Sequence, residues 1–544
     1  MACKVPNRTW DLEVGRVRVC LDGIDLRYVE IDDVEVVRRV FVTLRDVDWG
    51  TVDLSRLAIE VTPADDRIVV AGVGHARLDA VDAACTVRIE VLATGALEYA
   101  VEWSPRSSFA YNRMGLSVLH PPDACAGRAY RTSDGSSGRL PTTIGPQPTI
   151  DGDPRPLFEP FTELELDVAG LGPSRFAFTG DRFEMEDQRN WSDGSFKTYC
   201  TPLTLPRPHA AEPGRPIRQT LRVEPPPRRS TVRRRRSEIV ELACADAPDG
   251  AIPRLGLCWR PGAPPAIGRL GPHHVRVDLR RPGTVAGELA AAAAFACSAA
   301  CALIVAVHAP LPDTDALALH GDVISHLLAF ADVGAVPAGV RVVGGTDDWF
   351  VELNRARPDP AGLDGLAWSV TPQVHAGDEP TMVEGLAAQT DQLTCARAFA
   401  SSLPLLVGPI TLRPRYGPDP IDPRQGSAFA AAWTAGSVAA QAAGGAWSAT
   451  YFETHGPGGL LDGERTFPVF DVLADACRWQ GWTRLRSTSS APLAAQLLAV
   501  HPDGSDAREG WLINLRDRPT RVRVNGLGEE ASIELDPWAV RRVA

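Results

Sequence analysis

The chain has 544 residues, 44% hydrophobic and 23% charged. That balance excludes a disordered or fibrous polymer, and the length exceeds what one core holds. Lys and Arg number 56 against 68 Asp and Glu, a formal charge of −12, which leaves no basic surplus for a nucleic-acid partner.

The opening residues, MACKVPNRTWDLEV, contain no apolar stretch of a secretory signal. Eleven scattered cysteines show no CxxC pair or Cys/His zinc spacing. A reduced, cytoplasmic protein with structural cysteines is expected.

Residues 1–245 read as an N-terminal antiparallel β-sandwich domain. Runs such as 15–21 (GRVRVCL), 34–44 (VEVVRRVFVTL), 86–92 (TVRIEVL) and 96–103 (ALEYAVEW) are rich in Val, alternate in places and are separated by Gly, Asp and Pro. The segment 183–199 (FEMEDQRNWSDGSFKTY) stands out. It mixes aromatic rings with amide, carboxylate and ammonium groups, which polyol recognition needs. Glu186, Asp187, Asn190, Trp191 and Lys197 are its candidate substrate-binding residues, against a plain interdomain packing segment. The run 225–236 (PPPRRSTVRRRR) reads as a solvated connector or strand edge rather than an anion site, because the chain as a whole is acidic.

Residues 246–482 change texture: short apolar runs alternate with Ala-rich helical stretches. Strands are expected at 253–259, 274–279, 302–307, 340–343, 366–374, 405–412 and 447–452, with an eighth near Leu460. Helices are expected at 285–300, 316–330, 380–400, 427–443 and 467–478. The Ala-dominated stretch 289–307 reads as a buried helix running into a buried strand, and no membrane partner is expected. This order of elements predicts a central (β/α)8 barrel of the TIM type. Residues 483–544 return to β-pattern at 494–500, 511–514, 520–524, 531–535 and 540–543, a small C-terminal β-sandwich domain.

Such barrels carry their chemistry where strands end at the C-terminal mouth. Polar residues following the apolar runs are Arg260, His308, Asp347, His375, Arg413, Arg415, Glu453 and His455. Glu453 closes the aromatic run 447–452, counted here as strand seven, and is followed by Thr-His-Gly-Pro-Gly-Gly. Its bland alternative is a salt bridge to Arg413 or Arg415. A retaining glycosidase needs a second carboxyl about 5–5.5 Å away. The run 340–343, counted here as strand four, where such barrels keep the partner, ends in Gly-Gly-Thr-Asp-Asp, and Glu352 falls in an expected short helix, so that signature is incomplete, with Asp347 or Asp348 as the available substitute.

Seven segments resemble the bacterial D-apionate lactonase family: 112–120 (NRMGLSVLH), 158–166 (FEPFTELEL), 186–202 (EDQRNWSDGSFKTYCTP), 350–358 (FVELNRARP), 371–376 (TPQVHA), 412–416 (LRPRY) and 451–456 (YFETHG). The resemblance implies an N-terminal β-domain, a TIM barrel and a small C-terminal β-domain. It also implies a hydrolase that opens a small-molecule sugar-acid lactone to the free acid. It carries over no site residues. From the strand ends, Glu453 is expected as general base or nucleophile, His375 as donor to the leaving oxygen and Arg413 or Arg415 as the cation that holds the developing oxyanion or the hydroxyls. Arg260, His308, Asp347, Arg415 and His455 are expected to bind substrate. No cofactor is expected; a divalent metal among His308, His375, His455 and Glu453 has no supporting ligand spacing. A glycoside hydrolase with Glu453 as nucleophile and a non-catalytic carbohydrate-binding protein remain as alternatives. Oligomeric state is not readable.

Overall fold

The computed structural model describes residues 9–150, 153–227, 238–281, 284–310, 315–416, 419–502, 505, 507–527 and 531–543. The basic run 225–236 lies outside them from residue 228 onward. Two compact units divide the chain. One is Met1–Gln188 with Ser195–Arg235; the other is Arg189–Gly194 with Arg236–Ala544.

The first unit is an antiparallel β-sandwich. Its seven-stranded sheet places Arg113–His120 between Val34–Arg45 and Phe196–Tyr199, with Glu184–Asp187 at the edge. Its nine-stranded sheet includes the long neighbours Arg67–Leu78, Val81–Leu92 and Leu97–Pro105. Burial alternates along these strands, so Val87, Ile89 and Val91 meet Val37, Val40 and Leu116 in one core.

In the second unit eight parallel strands close a barrel: β1 (Arg254–Cys258), β2 (His274–Leu279), β3 (Ala302–Val307), β4 (Ile324–Ala329), β5 (Arg341–Trp349), β6 (Gly365–Val370), β7 (Leu405–Ile410) and β8 (Ser448–Glu453). The 289–307 stretch is helix Val285–Ser298 running into β3, and among the described residues no helix is long and apolar enough to cross a membrane.

Three expectations are corrected. The span 316–330, expected as one helix, holds a single turn, Asp315–Ala318, followed by β4. The sequence ISHLLA hides its strand character because Ser325 and His326 break the apolar run. No barrel strand lies near Leu460; Leu461–Asp462 pairs with Arg465–Thr466 in a two-stranded ribbon. Every strand after the third therefore moves up by one, and Glu453 ends strand eight, not seven.

The C-terminal strands form a seven-stranded sheet. One of its inner strands, Ile239–Ala251, comes from before the barrel and pairs parallel to Thr520–Asn525 and antiparallel to Thr483–Ser489. The expected boundary at 245/246 falls inside that strand.

Along β2, Val275, Val277 and Leu279 pack outward with Leu289 and Ala292 of the covering helix. His274, Arg276 and Asp278, on the alternate face, therefore point into the barrel. At the N-terminal end this makes a histidine floor. The His274 ring bonds Thr450 Oγ1 at 2.8 Å and fills the space a Cβ on Gly256 would take, 2.0 Å from Nε2. His273 and His326 pack edge-on or tilted against Trp447, at 5.7 and 4.9 Å. Burial, then nearby Arg254 and Arg341 respectively, lowers His273 and His326 to about 4, and burial holds His274 well below the ordinary imidazole value. Below pH 6.5 the unfolded chain accepts protons that the folded chain refuses, so stability falls as pH drops from about 6.5 to about 4. The thermal midpoint should decline across that window, and less steeply in the His273→Gln/His326→Gln double variant. A midpoint flat from pH 7 to 4.5 sinks this account.

Candidate functional site

The C-terminal mouth of the barrel gathers charge on two carboxylates. Asp278 ends the inward face of β2. Asp347 sits where the β5–β6 register shifts between Gly345 and Trp349, a bulge that re-aims its side chain. Arg276 is 1% exposed; its Nε donates to Asp278 Oδ1 at 2.8 Å, Nη2 to Asp347 Oδ1 at 2.5 Å and Nη1 to the Gly408 carbonyl at 2.8 Å. Arg415, after β7, donates to Asp278 Oδ2 at 2.7 Å and to both Asp347 oxygens at 2.6 Å. Arg280, just past β2, donates to Asp347 Oδ2 at 2.6 Å and lies 4.3 Å over the Tyr416 ring. The Tyr416 hydroxyl donates to the same Asp347 oxygen at 2.9 Å. His308, after β3, stands 3.2 Å from Asp278 Oδ1 and 3.7 Å from Asp347 Oδ2.

Three guanidiniums thus face two carboxylates, a surplus of one positive charge. Burial alone would raise Asp278, yet Arg276 and Arg415 hold it well below the usual carboxylate range. A surplus of this sign suits a ligand oxygen on which negative charge develops.

Cys258 closes β1. In register it has Arg276 on one side and Glu453 on the other, so Glu453 joins the same rim. Glu453 Oε2 accepts from Arg260 Nη1 at 2.7 Å, and both side chains remain about two-fifths exposed. The preceding residue, Phe452, is buried with φ +35°, backbone strain directly before an acidic group at the rim. The partner is Arg260; Arg413 and Arg415, which sequence offered as the structural alternative, are engaged elsewhere.

A third cluster centres on residues 189–194. The His375 ring Nδ1 bonds Asp193 Oδ2 at 2.7 Å and stands edge-on to Trp191 at 5.8 Å. Trp191 also meets Trp349, two residues past Asp347, at 5.8 Å. Asn354 donates to Asn190 Oδ1 at 3.0 Å, Arg189 to Asp391 at 3.1 Å and Gln392 to the Arg189 carbonyl at 2.9 Å. A glycine pair allows the approach: a Cβ on Gly194 would lie 2.2 Å from the Glu384 carbonyl oxygen, and one on Gly385 would lie 2.5 Å from that of Ser192. Gly194→Ala should therefore lower stability by about 1–3 kcal/mol, measured as a drop in denaturation midpoint; an unchanged midpoint would show that this contact yields freely.

The structure thus brings His308, Asp347 and Arg415 into one group and Arg260 with Glu453 into another. His375, Trp191 and Asn190 form the third. Arg413 turns to Asp419 Oδ2 at 2.6 Å and Asp422 at 3.5 Å. His455 bonds its neighbour Thr454, and burial, then Arg260, lowers its pKa. Glu186 and Lys197 are cross-strand partners in the first unit, 3.9 Å apart, and Asp187 lies opposite Phe196 on the same strand pair. Sequence reasoning missed Arg276, Asp278, Arg280, Tyr416, Asp193 and Trp349. The alternation HVRVDL carried the signal for the first two: charge on every second residue of a barrel strand marks the inward face.

Asp278, His308 and Asp347 offer ligand atoms within 4.8 Å of one another, the one such group among the described residues. Oxygen and imidazole donors suit a divalent ion, but both carboxylates already neutralise guanidiniums, and a dication would face a local positive surplus. His375, His455 and Glu453 are not part of this group.

Residues 3–227 match the model of the D-apionate lactonase N-terminal domain, and residues 328–481 match that of the D-apionate lactonase TIM barrel domain. A curated D-apionate lactonase from Brucella anthropi is 26% identical over 608 aligned positions, covering 98% of this chain and 96% of that protein. Among solved structures, a GH30 endoxylanase from Clostridium papyrosolvens C71 covers 56% of this chain and 98% of its own, at 10% identity and TM-score 0.41. A beta-arabinopyranosidase covers 98% of this chain and 96% of its own, at 10% identity and TM-score 0.26. At such scores these two bear on neither substrate nor mechanism. With both domain models matched in order and a curated relative aligned from end to end, the chain belongs to the D-apionate lactonase family.

Proposed function

We propose that this protein is a carboxylic ester hydrolase that opens a sugar-acid lactone, D-apionolactone or a similar aldonolactone, to the free acid. The observation that carries the mechanism is the placement of an exposed carboxylate, Glu453, on the same strand rim as a guanidinium cluster with a positive surplus. Opening a lactone requires three things: a water deprotonated as it attacks the acyl carbon, a stabilised oxyanion, and a proton for the departing ring oxygen.

Glu453 takes the proton of the attacking water, with Arg260 holding its carboxylate in place. Arg415 and Arg280 stabilise the oxyanion; Arg413, held by Asp419 and Asp422, takes no part. Two imidazoles can deliver the proton: His375, ordered by Asp193, and His308, ordered by Asp278. A carboxylate on one ring nitrogen orients the ring and fixes its tautomer. His375 is the donor favoured by sequence, and separate His375→Ala and His308→Gln variants tell the two apart. Trp191 offers an apolar face for the C–H side of a sugar.

The test is a panel of aldonolactones, apionolactone included, assayed by acid release beside aryl glycosides assayed by aglycone release. Acid from lactones with glycosides intact is expected. Aglycone release with lactones intact overturns this reading in favour of a glycosidase using Glu453 as nucleophile. Binding of sugar acids with neither reaction leaves a carbohydrate-binding protein.

A further inference from the structure

The three guanidiniums of the cluster are not equivalent. Arg276 is buried and gives all its donor nitrogens to Asp278, Asp347 and the Gly408 carbonyl. Arg415 has both terminal nitrogens on the same two carboxylates. Arg280 bonds through Nη2 alone, to Asp347 Oδ2 and the Tyr416 hydroxyl, and its side chain is 38% exposed. Among the described residues nothing accepts from its Nε or Nη1. The side chain is nonetheless held: Asp347 fixes one end and the Tyr416 ring lies 4.3 Å beneath the guanidinium.

A preordered cationic fork facing solvent loses little rotamer freedom when an anion arrives. Its planar donors match a carboxylate better than a hydroxyl. Its charge is also poorly compensated where it stands: burial, with Arg415 and Arg276 nearby, works against the cation despite Asp278 and Asp347. A bound anion relieves that crowding, whereas a neutral lactone or polyol does not.

We propose that Arg280, backed by Tyr416, is a carboxylate subsite for open-chain polyhydroxy monocarboxylates, so that the protein holds the acid form of its sugar more tightly than the neutral form. This rests on the lactone-opening reading, in which that acid is the product. As a consequence the acid inhibits by occupying the mouth.

The experiment is isothermal titration of the full chain, at one ionic strength, with sodium D-gluconate and sodium L-threonate, beside sorbitol, threitol and sodium acetate. Aldonates should bind at least tenfold more tightly than the matching polyols and than acetate. Arg280→Met should abolish the difference, and Arg280→Lys, which keeps the charge without the fork, should retain only part of it. Circular dichroism confirms that each variant is folded; Tyr416→Phe serves as a second probe because that side chain is exposed, and a several-fold loss of aldonate preference is expected there. Equal binding of aldonate and polyol, or a preference unchanged in Arg280→Met, overturns the proposal. An aldonate preference that depends on Arg280, in a protein that opens no lactone, preserves the subsite and removes the reaction. Lactone opening with no aldonate preference does the reverse.

Discussion

Glu453→Gln should lower kcat/KM for lactone opening by about 10²- to 10⁴-fold, the range expected when a general base is lost, while the folded state is hardly altered. The two effects separate because of where Glu453 stands. Its ion pair with Arg260 is well exposed at both ends, and an exposed pair is screened by solvent, so its removal changes stability by less than about 1 kcal/mol. The amide keeps the shape and can still accept from Arg260, but it takes no proton from water. Arg260→Met should act in the same direction by a smaller factor, since it loosens the carboxylate without removing it. Initial rates of acid release and thermal midpoints on the same preparations check both statements. A Glu453→Gln enzyme at wild-type rate removes Glu453 from the chemistry, and a large fall in midpoint would make it structural.

The barrel was legible where apolar residues run on or recur at every second position. β2, β3, β7 and β8 fall within about two residues of the expected runs because both faces of such strands are covered. β4 was not legible: Ser325 and His326 interrupt it, and His326 is tolerated there because it packs on Trp447 in the floor. Glu453, Asp347, His308 and Arg415 were readable as polar groups just beyond apolar strands. Arg276 and Asp278 lie inside a strand rather than beyond it, so a reading of strand ends passes over them although the alternation of HVRVDL sets them on one face. Asp193 was hidden for another reason. Its partner His375 lies 182 positions away, and local spacing carries no information about a contact that the fold makes.

Arg276→Met should be the most damaging single substitution in the barrel, lowering stability by about 3–5 kcal/mol, as expected when one member of a buried ion network is removed. Methionine replaces most of the stem, so the loss is chiefly electrostatic. Asp278 and Asp347 stay partly buried with only Arg415, Arg280 and His308 to offset them, and the Gly408 carbonyl loses its donor. The deficit should depend on pH with a defined sign. Asp278 is held well below its ordinary value in the folded chain, so its contribution is present above about pH 4 and is lost as pH falls towards the folded value. Denaturant unfolding should therefore show the largest gap between wild type and variant at neutral pH and a smaller one in acid. Adding Asp278→Asn to Arg276→Met should recover part of the loss, because it removes the stranded charge, and the double-mutant cycle measures that coupling. Arg413→Met is the control. Its partner Asp419 is 74% exposed, and its longer contact, the buried Asp422 at 3.5 Å, keeps Arg424 at 2.8 Å, so only about 1 kcal/mol is expected there. If Arg276→Met proves as mild as Arg413→Met, water reaches Asp278 and Asp347 freely, and the mouth lacks the desolvated field on which oxyanion stabilisation by Arg415 and Arg280 depends.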